Sequence, residues 1–115
     1  MSTTSPPRKP DAYAPSNHFV GHVRNRSEGP DRHIDGDIIR ACIENGDVRP
    51  HPHDDAKRYF RRTVDAVTYR LVVNVEEGVV VTGYPIGINP EAARDSGRWS
   101  SAQIRDILDF LRSKE

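Results

Sequence analysis

Between Lys57 and Tyr84 three runs rich in β-branched and aromatic residues follow one another with only two and three residues between them. That spacing limits the fold more than any other feature of the chain. The runs are Lys57 to Val64, Val67 to Val75 and Val79 to Tyr84. A crossover between parallel strands needs about a dozen residues, so gaps this short predict an antiparallel meander. Asp65 and Ala66 suit a tight reversal, and Gly78 after Glu76 and Glu77 can take the left-handed conformation of a three-residue hairpin link.

Side chains alternate across a pleated strand, so Tyr69, Leu71, Val73 and Val75 share one face, the natural core face, and Thr68, Arg70, Val72 and Asn74 the other. In the first run both faces carry cations, which predicts an edge strand. From Lys57 to Arg70 five cations (Lys57, Arg58, Arg61, Arg62, Arg70) stand against Asp65 alone. Two readings stay open for them: a polyanion site, or charges that keep an exposed edge from pairing with other chains.

The chain has 115 residues and a formal net charge of 0, so any attraction to a polyanion must be local. That length suits one domain with one modest core. Charge is segregated: Asp31 to Asp55 holds seven acids and three bases. A lone cysteine, Cys42, makes no internal disulfide, and with no long apolar run the expectation is a cytoplasmic protein. Met1 to Ser16 is rich in Pro, Ser and Thr and reads as a disordered tail. Asn17 to Arg26 fits a helix or a short strand equally, and Ser27 to Asp31 reads as a loop.

Ile34 to Gly46 carries the clearest helix. Asp35 is its cap, and Ile38, Ile39, Cys42 and Ile43 form an apolar stripe that should lie on the face carrying Leu71 and Val73. Gly46 is expected to end it in a left-handed conformation. Asp47 to Asp55 reads as a turn-rich connection; His51, His53 and Asp54 invite a metal, but no further His or Cys downstream completes a ligand set. Pro85 to Ser101 reads as an excursion anchored by Trp99. Ser100 and Gln103 then form a capping box for a last helix through Leu111, with Ile104, Ile107, Leu108 and Leu111 as a stripe for the core or for a partner. The fold class is α+β: a helix packed on a three- to four-stranded antiparallel meander, with an extra C-terminal helix.

No phosphate-cradling glycine loop, nucleophile elbow or zinc motif is present. A loose set of His, Arg, Lys and Tyr around a small sheet remains. Such a set can cleave RNA without metal, because the ribose 2′-OH is the nucleophile and the protein need only move protons and stabilise charge. The order of His22 and Arg26, Arg32 and Ile34 leading into the helix, then Tyr69 to Val75 and the closing VVVTGYP from Val79 to Pro85, resembles RelE-like small domains of uncharacterised function. These are grouped with the barnase, EndoU, colicin and RelE superfamily of ribonucleases.

The resemblance spans residues 17–85, leaving 1–16 as a tail and 86–115 as a loop and amphipathic helix. It implies a metal-independent, toxin-type ribonuclease that needs no cofactor and has RNA and a cognate inhibitor protein as partners. His22 and His33 would serve as general acid and base, with Arg26 and Tyr84 completing the catalytic set. Arg24, Arg32, Lys57, Arg58, Arg61, Arg70 and Tyr69 would contact RNA. Blander roles stand beside these: His22 on the surface, His33 at the helix start, both tyrosines in the core. The alternative function is a non-catalytic module that binds protein or nucleic acid through the basic strand or the last helix.

Overall fold

A computed structural model describes residues 12–15 and 33–113 of the chain. In chain order the elements are β1 (Ala14–Pro15), α1 (Gly36–Asn45), β2 (Asp47–Pro50), β3 (Lys57–Val64), β4 (Val67–Asn74), β5 (Val79–Ile88), α2 (Pro90–Ser96) and α3 (Ser101–Ser113). They build an α+β fold around one five-stranded sheet in the order β1-β5-β4-β3-β2.

The meander is present: β3, β4 and β5 pair antiparallel, Phe60 opposite Leu71 and Leu71 opposite Gly83. Asp65 and Ala66 make the first reversal with φ of 48° and 73°. Both lie in the left-handed region that matches strand twist in two-residue hairpins. For an L-residue that region costs about 1–2 kcal/mol. Two bonds hold it: Trp99 Nε1–H donates to the Asp65 carbonyl and the Asn89 N–H to the Ala66 carbonyl, each at 3.0 Å. In the second link Gly78 has φ of 67°, and the Asn74 side chain accepts from the N–H groups of Glu76 and Glu77.

Around the meander the architecture departs from the sequence expectation. β3 is not an edge strand, because Asp47–Pro50, read as a turn, pairs antiparallel with Arg58–Arg61 as β2. Pro50 sits on this outer strand, where a missing N–H removes no ladder bond. The sheet is mixed rather than purely antiparallel, since β1 lies parallel to β5 with Ala14 opposite Val79. β1 also places part of the expected tail in the sheet, so α1 is not the first element; Tyr13 packs edge-on against Phe60 at 6.1 Å. β5 runs four residues past Tyr84, with register shifts opposite Thr68/Tyr69 and Val72/Val73. After it, Asn89 caps the short α2 with Pro90 at its first turn and left-handed Gly97 at its end.

α1 starts as its cap predicts, with the Ile38 N–H donating to Asp35 Oδ1 at 2.9 Å. Its end differs. Gly46 is extended (φ −76°, ψ 158°) rather than left-handed. What demands glycine is crowding: a Cβ there would overlap the Cys42 carbonyl oxygen and stand 2.9 Å from that of Arg61. Ile38, Cys42 and Ile43 are buried in one cluster with Phe60, Leu71 and Val73. Burial pushes the Cys42 thiol up to about 12, against the partly compensating Arg62 charge, so at neutral pH it behaves as a small core hydrophobe.

The capping box of α3 is formed: Gln103 Oε1 accepts from the Ser100 N–H at 2.8 Å and Ser100 Oγ from the Gln103 N–H at 3.1 Å. Ile104 and Ile107 complete the core beside Tyr69 and Trp99, which answers the question left open for this stripe. Phe110, one turn further, is buried as well. Among the described residues no helix is long and apolar enough to cross a membrane.

Candidate nucleic-acid interface

Strand alternation divides the cations into two groups. Arg61 pairs with Arg70, and Arg70 with Tyr84, so these three share the sheet face opposite α1; Tyr59 and Lys57, two and four residues before Arg61, join them by the period of the strand. Thr82 belongs to this face through its pairing with Val72. Arg58 and Arg62 alternate to the other side with Phe60. There Arg58 Nη1 donates to the carbonyls of Asp55 and Lys57 at 2.7 Å, and Arg62 reaches the Asn45 carbonyl at 3.4 Å.

Planar groups form a row across the face opposite α1. The His51 and Tyr59 rings lie 5.1 Å apart, the Arg70 guanidinium carbon sits 4.4 Å from the Tyr59 centroid, and Arg70 is the cross-strand partner of Tyr84, whose ring is 6.3 Å from Phe110. Each strand from β3 to β5 contributes one member. The loop before β3 and α3 supply the two ends.

Arg70 differs from the other cations of that face. Lys57 Nζ lies 3.3 Å from Asp54 and Arg61 Nη2 lies 3.9 Å from Asp47, both solvent-accessible pairs of the kind worth about 0–1 kcal/mol. The Asp54 carboxyl is held below its usual range chiefly by the Ala56 N–H and then by Lys57. Arg70 has no carboxylate partner among the described residues, and its Nε is buried without a hydrogen bond. Leaving such a donor unmade costs about 1–3 kcal/mol, more for a charged group. The Tyr59 ring offsets part of that through its negative π face. A bound anion would offset more.

Of the expected catalytic histidines, His33 is the one among the described residues, and it stands apart from these arginines. His33, with φ of 50°, bonds through Nε2 to Asp106 Oδ2 at 2.8 Å, and its carbonyl accepts from the Tyr69 hydroxyl at 3.0 Å. Its surroundings include Asp35, Asp37, Arg98 and Trp99 on the side of the sheet that carries α1. Tyr69 itself is fully buried, so its ring offers no stacking surface. Arg98 is tied to Asp35 and Asp65. His22, Arg24, Arg26 and Arg32 lie outside the described residues.

Among the described residues, His51 is the imidazole that stands in the row. Its Nδ1 accepts from the His53 backbone N–H at 3.0 Å. The neutral tautomer that matches this bond carries its proton on Nε2. It supplies a donor and a stacking surface. Among the described residues no group of three or more His, Cys, Asp or Glu side chains is placed to hold a metal.

Tyr59, His51 and Phe110 were absent from the expected site. Tyr59 had a signal, since it alternates with Arg61 on the cationic strand. The rest depend on tertiary placement. Comparison with known proteins finds no matching family model, no matching curated protein and no matching solved structure.

Proposed function

We propose that this chain binds single-stranded nucleic acid across the sheet face opposite α1, without cleaving it. The observation that carries the reading is Arg70, a half-buried guanidinium stacked on Tyr59, with a buried Nε that has no hydrogen bond and no carboxylate partner among the described residues. Stacking rings interleaved with cations are the means by which proteins hold an unpaired strand, the rings taking bases and the cations phosphates. Arg61 lies opposite Arg70, Lys57 lies further along the same face opposite Asn74, and Arg49, opposite Tyr59 on β2, adds a fourth cation. Metal-independent cleavage, which the resemblance to RelE-like domains implies, calls for an imidazole acid and base beside the phosphate cations. Among the described residues, the engagement of His33 with Asp106 on the α1 side, away from those cations, favours binding over cleavage.

The test is fluorescence anisotropy with a labelled single-stranded RNA in EDTA, followed by analysis of the RNA ends. Binding should weaken with salt at a log–log slope of about −2 to −3 if three or four phosphates are engaged. Tyr59→Ala should weaken it roughly tenfold, and the RNA should stay intact. Ends bearing 2′,3′-cyclic phosphate would restore the ribonuclease reading. A slope near zero would remove the phosphate contacts on which the present one stands.

A further inference from the structure

The row of planar groups ends in a groove that has its own chemistry. α3 packs on the second half of β5, and between them lies an open groove of about 900 Å³. That is within the range of about 300–1,000 Å³ seen for small-molecule sites. Tyr84, Phe110 and Leu108 give it apolar and aromatic walls, Thr82 contributes a hydroxyl, and Arg70 and Arg112 supply charge; among the described residues no acidic side chain lines it. By contrast, the groove around His33 is lined by Asp35 and Asp37, and the one beside Arg61 and Arg62 by Asp47. Arg112 is three-quarters exposed and only loosely paired, 3.7 Å from Asp109, so it is available to a ligand.

We infer that this groove is a nucleotide pocket that takes one nucleoside monophosphate unit, the base against Tyr84 and the phosphate between Arg70 and Arg112. The size and the mixed lining favour this ligand over a bare anion, which would leave the aromatic walls wet, and over an uncharged ring, which would leave Arg70 without a counter-charge. The inference rests on the strand-binding reading only for the identity of its ligand. A pocket of this kind would seat one nucleotide of a strand lying along the row, at the place where α3 closes the platform.

The experiment is a titration of the full chain with AMP, adenosine and inorganic phosphate, followed by ¹H–¹⁵N NMR. AMP should give saturable shifts at Tyr84, Thr82 and Phe110, and adenosine and inorganic phosphate should each bind about tenfold more weakly or less, since each lacks half of the contacts. Arg112→Glu, at an exposed position that the core does not need, should weaken AMP by about tenfold or more. The same charge reversal at Arg40 on the outer face of α1 should leave it unchanged. No saturable shift with AMP, equal affinity for inorganic phosphate, or indifference to Arg112→Glu would each overturn the pocket. Strand binding that persists without AMP binding would sink the pocket and spare the strand reading. AMP binding without strand binding would do the reverse.

Discussion

Gly46→Ala should destabilise the fold by about 3 kcal/mol or more, at the upper end of what overpacking costs. The new Cβ meets two backbone carbonyl oxygens, those of Cys42 in the last turn of α1 and Arg61 in β3, and neither has a rotamer by which to withdraw. Relief requires β2 to part from β3 or the end of α1 to unwind. Because Gly46 is extended, the penalty has nothing to do with handedness. Gly97 supplies the comparison: it is left-handed at φ 76° with open space around its Cα, so Gly97→Ala should cost only about 1 kcal/mol. Chemical denaturation of both variants checks the pair, and equal losses would contradict the crowding argument.

Ile43→Ala should cost about 2–5 kcal/mol, as large-to-small changes in a packed core do. Ile43 is 1% exposed and belongs to the cluster that joins α1 to Phe60, Leu71 and Val73. Domains of this size have a total stability of about 5–15 kcal/mol, so the variant should melt well below the parent. Ile39, half-buried on the flank of the same helix, should lose less on the same truncation. An unchanged melting midpoint for Ile43→Ala would refute the packing of α1 on the sheet.

The elements that were legible in the sequence are those whose signal is local. The Asp35 cap, the Ser100–Gln103 box, the alternation in β4 and the reversals at Asp65–Ala66 and Gly78 each depend on a few neighbouring residues, and each is formed. β2 was not legible because DVRP offers a single apolar side chain, Val48, and becomes a strand only by pairing with β3. β1 is shorter still, and the parallel partner that orders it lies more than sixty residues away. Asn89, Pro90 and Gly97 did carry the cap, first-turn and end signals of α2, hidden in a stretch that its prolines and glycines make resemble a loop.

The site was legible in part. Charge density drew attention to β3 and β4, and alternation put Arg70 on the face away from the core. The same alternation set Tyr69 beside Leu71, which already argued against Tyr69 as an RNA contact; its full burial follows from that. Which cations are neutralised cannot be read from composition, because Lys57, Arg58, Arg61 and Arg62 find partners only through the turns and strand pairings of the folded chain. That Arg70 meets no carboxylate among the described residues is a tertiary fact. So is Phe110, which follows Ile104 and Ile107 at three-residue spacing yet meets Tyr84 across the edge of the sheet.

The most direct measurement is ¹H–¹⁵N NMR of the chain titrated with an unlabelled single-stranded oligonucleotide, read against Arg70→Met, which keeps much of the stem and removes the charge. Shifts concentrated at Tyr59, Arg70, Thr82 and Tyr84, lost in the variant while the rest of the spectrum is retained, are the predicted result. Shifts clustered on the outer face of α1 or around His33 and Asp106, unaffected by Arg70→Met, would contradict it.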